Sequence, residues 1–394
     1  MSSCESLAQA PTRAHERVAV TRLMLTNFRS YGMLDLRLNG SHVALIGPNG
    51  AGKTNVLEAL SMFASGRGLR GAKLGELARS MPGEASDRPW AVSASFVSTG
   101  NEFQVGVGYL PGGADGGTPK RTIRMDGVPI NNVSQLAEHV RLIWLSPAMD
   151  RLFVEGVSDR RRFLDRLIAS FDPTHARRWT QFESAMRERI GALKAGGNNG
   201  WLRALERTMA EAAVALAASR LSGVQQLARA IEDLRASSFP RADISIAGSL
   251  EGALVNRAAV DVEDEYADAL EQARGRDVEA GRTSAGPHLT DFLVRHKEKG
   301  RSASDCSTGE QKALLIRLVL GCASMSAPGA PERPILLLDE VGAHLDEMRR
   351  RALYDEIDAL GVQAWMTGTD AVVFSGLEKR AEFKRVSDGH VRPM

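Results

Sequence analysis

The sequence predicts an α/β fold whose core is divided along the chain by a mainly helical insertion. Three observations carry this. Strand-like apolar runs open the chain and lead into a glycine-rich loop, amphipathic helical periodicity fills the middle, and β/α alternation dominates the end.

Val18 to Ile46 holds three strand-like runs: VAVTRLML, MLDLRL with period-two alternation, and VALI. A helical pattern follows the loop, with Val56, Leu60 and Phe63 on one face. Trp90 to Ile130 reads as antiparallel strands, with turn signals at Thr99-Gly100-Asn101, in the GGADGG run at 112–117 and at Asp126-Gly127. A buried strand, Leu142 to Leu145, ends at Ser146-Pro147. From about Asp150 to Ala236 the pattern is amphipathic helix, broken by a turn over Ala195 to Gly200. The final stretch runs DFLVRH, a helix from about Glu310, PILLLDE, a helix from about Glu347, and QAWMT. The expected division is a flexible tail over 1–17, a head made of 18–149 and 282–394, and a helical arm over 150–281.

Composition narrows the function classes. With 43% hydrophobic and 25% charged residues, the chain of 394 residues is not disordered as a whole. The cysteines Cys4, Cys306 and Cys322 form no CxxC pair, so neither a zinc knuckle nor a disulfide framework is expected, and the usage suits a reducing compartment. No apolar run approaches the ~20 residues of a membrane helix, and no apolar segment precedes Val18. A cytoplasmic protein without a membrane partner is expected.

The net charge of +2 hides a local imbalance. Arg151 to Ser249 carries 16 Lys/Arg against 11 Asp/Glu, and Glu251 to His296 carries 5 against 10. Arg160, Arg161, Arg162, Arg166, Arg177 and Arg178 are the densest basic cluster and the candidates for DNA phosphate contact, which would give affinity without sequence reading. The competing reading is a solvated helix face that pairs with its own acids, such as Asp159 and Asp165.

Gly47-Pro48-Asn49-Gly50-Ala51-Gly52-Lys53-Thr54 fits G-x-x-x-x-G-K-[ST], preceded by an apolar strand and followed by a helix that includes Asn55. Glycines let successive N–H groups converge on a phosphate, and the helix turns its positive end to the anion. Lys53 reaches the β- and γ-phosphates in this motif, and the Thr54 hydroxyl binds Mg²⁺. Ile335-Leu336-Leu337-Leu338-Asp339-Glu340 is a buried-strand pattern that delivers two carboxylates to the ligand edge of a sheet. Asp339 there is a Mg²⁺ ligand candidate and Glu340 a general-base candidate, set against a plain core strand ending in acids.

Ser307-Thr308-Gly309-Glu310-Gln311 opens a helix and has two readings. Ser307 and Glu310 form a capping box; alternatively, Ser307 and the free amides of Thr308 and Gly309 bind phosphate. His288, after Gly-Pro, reads as locally hydrogen-bonded, Cys306 as packed beside this helix, and Arg70 as a possible phosphate contact.

In order and form these segments resemble the ABC-type ATPases. The resemblance implies a P-loop head with a mixed sheet and an antiparallel β subdomain. It makes Ser307, Thr308, Gly309, Glu310 and Gln311 a signature acting in trans on ATP held by a second head, and it makes Gly342 to Asp346 a D-loop. A narrower resemblance is to the RecF family. It rests on Asn27-Phe28-Arg29-Ser30-Tyr31, the GPNGAGKTNVLEAL segment, Ser65 to Arg70, Arg160 to Arg166 and Gly286-Pro287-His288-Leu289-Thr290-Asp291, all in family order. It implies an ATP- and Mg²⁺-dependent homodimer on single- and double-stranded DNA at gaps or junctions. Slow hydrolysis would release that dimer, and RecO and RecR would be partners in placing RecA. Asp150 stands where a Q-loop glutamine is expected, and Thr369 is the candidate in place of the switch histidine; both departures suit a slow switch. The alternatives are a transporter engine and a short-armed chromosome-maintenance clamp.

Overall fold

In the computed structural model, the described residues are 18–394 apart from 65, 81–87, 99, 113–119, 131–132, 236, 327–332 and 344. The tail over 1–17, Cys4 and much of the GGADGG turn therefore lie outside the described residues.

The chain begins with β1 (Ala19–Phe28), β2 (Tyr31–Arg37) and β3 (His42–Ile46), then α1 (Lys53–Ser61). β4 (Trp90–Ser98), β5 (Asn101–Leu110), β6 (Lys120–Met125) and β7 (Val128–Pro129) follow as a meander. After α2 (Val133–Leu136) and β8 (Leu142–Leu145) come α3 (Val157–Phe171), α4 (His175–Lys194) and α5 (Asn199–Asp233). β9 (Ala242–Ala247), α6 (Ser249–Leu254), α7 (Ala259–Gln272) and α8 (Arg274–Ala280) lead to β10 (Asp291–His296) and β11 (Arg301–Ser302). The chain closes with α9 (Thr308–Ser324), β12 (Ile335–Leu338), α10 (Glu347–Leu360), β13 (Gln363–Gly368), β14 (Ala381–Ser387) and β15 (His390–Pro393).

These strands form three sheets. An antiparallel sheet has the order β2-β1-β4-β5-β6-β7, and a small one the order β11-β10-β9. The central sheet has the order β15-β14-β3-β13-β12-β8, parallel except for β15. Its inner strands are apolar on both faces because both faces are covered. Val43, Leu45, Ile335, Leu337 and Trp365 join the core shared with α1 and the antiparallel sheet, whereas Ala44, Ile46, Leu336, Leu338 and Met366 join the core under α9. β14 and β15 were not legible as strands in the sequence. β14 mixes charged and apolar residues at the sheet margin, and it becomes a strand by pairing with β3.

α4 and α5 are joined by a short turn, and Asn198 caps α5 by accepting from the amide of Trp201 at 2.9 Å. The helix therefore begins inside the expected loop. The apolar core of the head extends beyond residue 150: Phe163, Leu164, Leu167, Val224, Leu227 and Ile231 pack in one cluster with Leu314, Leu315 and Leu318. A separate cluster, including Phe182, Met209, Val214, Val262, Tyr266 and Leu270, holds the outer helices together. β9, within the 150–281 interval, pairs with β10, which lies beyond it.

Candidate functional site

Three parallel strands bring the candidate site residues to one edge. Thr367↔Leu45 and Leu338↔Met366 are register partners, so the ends of β3, β13 and β12 lie side by side. Ligand sites in open α/β sheets form outside these carboxyl ends. Gly47 to Gly52 follows β3, and Asp339-Glu340 follows β12.

The loop after β3 has two positions that demand glycine. A Cβ on Gly47 would lie 2.1 Å from the Val386 carbonyl oxygen. Gly52 has φ +106°, and a Cβ there would lie 2.8 Å from Ser30 Oγ and 2.9 Å from the Tyr31 hydroxyl. Pro48, Asn49 and Gly50 are exposed at the loop tip, whereas Ala51 is buried. Lys53 is buried, and its ammonium donates to the carbonyls of Gly47 at 2.7 Å and Pro48 at 2.9 Å. Burial lowers its proton affinity from the ordinary lysine value, and Glu340 and Asp339 oppose that.

Asp339 is 5% exposed and accepts two hydroxyls at the same oxygen, from Thr54 at 2.9 Å and Thr367 at 2.7 Å. Burial raises its pKa above the ordinary aspartate value, against the lowering effect of those two hydroxyls. Thr367 Oγ1 also accepts from the Glu340 amide at 2.8 Å. Glu340 is half-buried with φ +50°, a left-handed conformation costing a non-glycine residue about 1–3 kcal/mol unless its surroundings fix it. The hard oxygens of Thr54 and Asp339 are the donor type that suits Mg²⁺. Thr369, the switch candidate, is exposed and lies beyond the end of β13; the threonine in contact with the acidic pair is Thr367, which the sequence reading passed over.

The Asn27 to Tyr31 segment, legible only as a family resemblance, has a physical role. It turns tightly between β1 and β2, with Asn27 at φ +50° and Arg29 at φ +51°. Arg29 makes a two-pronged ion pair with the fully buried Glu58 of α1, at 2.8 and 2.9 Å. Arg70 bonds the same carboxylate at 3.1 Å and Asn55 at 2.8 Å, Asn55 donates to Ser30 at 2.9 Å, and the Tyr31 hydroxyl donates to the Gly52 carbonyl at 3.0 Å. The hairpin thus clamps both the phosphate loop and its helix.

At the start of α9 the capping box is formed. Both the amide and the hydroxyl of Ser307 donate to Glu310, at 2.9 Å each. Lys299 also pairs with Glu310, and these donors hold its carboxylate down to about 2. Ser307 and Thr308 are exposed and Gly309 is open, while Gln311 is buried and donates to the Cys306 carbonyl at 2.9 Å. Asp346 caps α10, accepting from the Arg349 amide at 2.8 Å. Cys306 is buried beside α9, and His288 Nε2 donates to the Thr283 carbonyl (3.0 Å) while the ring stacks on Phe182.

Most of the arginine cluster is engaged by other groups of the chain. Arg160 is bound at two prongs by Asp291, at 2.8 and 2.9 Å, and Arg161 donates to the Thr290 carbonyl at 3.2 Å. Arg166 lies over the rings of Trp144 and Phe163, and Arg178 pairs with Asp172 at 2.7 Å. Arg162 pairs with Asp159 but stays 71% exposed, and Arg177 is exposed. The buried Arg220, which the sequence reading did not single out, binds Asp165 at 2.8 and 2.9 Å and also donates to the Pro287 carbonyl. Two segments far apart in sequence, Arg160 to Arg166 and Gly286 to Asp291, are therefore docked on each other by charge.

The family profile of the RecF/RecN/SMC N-terminal domain matches residues 19–391. The chain is 47% identical over 378 residues to the DNA replication and repair protein RecF of Allorhizobium ampelinum, covering 95% of this chain and 99% of that one. It is 44% identical over 385 residues to the protein of the same name from Mesorhizobium japonicum, covering 97% and 99%. Among solved structures, the recombination mediator protein RecF-ATP in the RecFOR pathway superposes with a TM-score of 0.81 at 23% identity, over 97% of this chain and 99% of that chain. The Smc head domain of Pyrococcus furiosus with an extended coiled coil, bound to the C-terminal domain of ScpA, gives 0.51 at 14% identity over 96% of each. The shared fold is that of RecF and Smc heads.

Proposed function

This chain belongs to the RecF/RecN/SMC N-terminal domain family and, within it, to the RecF proteins, and from that premise we propose that it is an ATP-dependent DNA-binding ATPase of recombinational repair. The observation that carries the reading is the convergence of Lys53, Thr54, Asp339 and Thr367 at one sheet edge, with Asp339 bonded to both threonines.

In this reading the loop Gly47 to Asn55 binds the triphosphate of ATP through its main-chain N–H groups, which Pro48 lacks, and the Lys53 ammonium. Thr54 and Asp339 would hold Mg²⁺, which supplies charge neutralisation on the phosphates. Glu340 orients the attacking water and takes its proton at the carboxylate. The exposed Ser307 to Gly309 segment completes the site of a second copy, with Asp346 beside it, so that ATP drives dimerisation on gapped or junctional DNA and hydrolysis releases the dimer. RecR and RecO are the proposed partners in loading RecA. No helix among the described residues is long and apolar enough to cross a membrane.

Light scattering of the full chain with and without ATP, Mg²⁺ and gapped DNA tests this. The dimer mass should appear only with ATP, and Ser307→Arg should abolish it while sparing ATP binding. A mass that stays monomeric under saturating ATP with DNA present overturns the dimer mechanism.

A further inference from the structure

Lys312 lies in α9, five residues after Ser307, and is only 4% exposed. Its ammonium donates to Asp150 Oδ2 at 3.3 Å and to the main-chain carbonyl of Glu340 at 3.4 Å. A buried ammonium requires such partners, and these come from the segments that follow β8 and β12. The other oxygen of Asp150 is buried with no hydrogen-bond partner among the described residues, so Lys312 is its anchor.

Glu340 has the left-handed φ of +50°, which an ordinary residue keeps only where its neighbours over-determine it. Both of its main-chain polar groups are bonded: the N–H donates to Thr367 Oγ1, and the carbonyl accepts from the Ala343 amide at 3.1 Å within its own turn and from Lys312 at 3.4 Å. The two side-chain restraints come from other elements, one from β13 and one from α9.

The geometry points to Lys312 as a positioning residue, one that fixes the backbone of Glu340 and ties its orientation to the helix begun by Ser307, with Asp150 as counter-ion. α9 is a 17-residue helix whose interior is buried, so it moves as a unit. Ser307 and Lys312 are separated by roughly one and a half turns. Contact at Ser307 by the nucleotide of a second copy would therefore reach the Glu340 carbonyl of the same chain. The inference rests on Glu340 being the base in the reading above.

The experiment compares the full-length parent with Lys312→Met, Asp150→Asn, Glu340→Gln and the double variant Lys312→Met/Glu340→Gln. It measures ATP affinity, ATP-dependent dimer mass and phosphate release. Lys312→Met should lower kcat at least tenfold while ATP affinity stays within twofold and the dimer still forms. Adding it to Glu340→Gln should cost nothing further, because both act through one carboxylate. Asp150→Asn changes a carboxylate that is 31% exposed, and it should show the same split to a smaller extent; it carries the test if Lys312→Met does not fold. Parental kcat in folded Lys312→Met (or in Asp150→Asn, if that variant alone folds) with an inactive Glu340→Gln overturns the inference and leaves the base assignment standing. A fully additive loss in the double variant also overturns it. If Glu340→Gln hydrolyses ATP at the parental rate, the base assignment falls and this inference with it.

Discussion

Thr367 Oγ1 donates to Asp339 Oδ1 at 2.7 Å and accepts the amide of Glu340 at 2.8 Å, so one hydroxyl orders both acids at the end of β12. This relationship exists because β13 is the strand between β3 and β12.

Thr367→Ala should therefore leave Asp339 and the Glu340 amide each short of a partner. We expect a stability loss of about 1–3 kcal/mol in chemical denaturation, with Thr367→Ser close to the parent. Hydrolysis should fall more than ATP binding; equal stability of the Ala and Ser variants would refute the role.

Lys53→Ala should remove the charged donor at the phosphate loop. Hydrogen bonds to charged groups contribute about 1.5–3 kcal/mol, so ATP affinity should drop about 10- to 100-fold in equilibrium titration. The fold should survive, because Lys53 now bonds only two carbonyls of its own loop. Unchanged affinity would remove Lys53 from the site.

Asp165→Ala should leave the fully buried Arg220 without its main counter-charge. The expected loss is about 3–5 kcal/mol, read as a lower denaturant midpoint. Arg162→Ala, at a position 71% exposed, should stay within about 0.5 kcal/mol. Similar costs for the two would mean that the Arg220–Asp165 pair does not hold α5 to α3.

The Glu310 carboxylate, held down to about 2 from its ordinary 4.5 by Lys299 and Ser307, gives a pH signature. Its folded pKa is depressed, so its contribution is complete above about 4.5 and is lost as pH falls toward 2. The stability gap between parent and Glu310→Gln should shrink on acidification from pH 5 to pH 3. A gap that is constant or grows would exclude the capping carboxylate as its source.

The phosphate loop, the acidic pair and the Ser307 segment were legible because each is contiguous, and its chemistry depends on residue types at fixed short spacing. The fold class was legible for a related reason: apolar period-two runs and helical periodicity are local signals. The Asn27 to Tyr31 clamp was visible as a resemblance, but its purpose was not, because Arg29 acts through Glu58, 29 positions away.

By itself, then, the sequence determined the α/β fold class with helices in the middle of the chain, and it offered the candidate residues for a nucleotide. Tertiary structure alone decided which threonine touches the acids, that Lys312 bonds the backbone of Glu340, and that most of the Arg160 to Arg178 cluster is paired. The physical reason is distance along the chain. Arg160 and Asp291 are 131 positions apart, and Lys312 and Asp150 are 162 apart. A charge counted in sequence carries no sign of the partner that neutralises it; only the folded chain brings the two together.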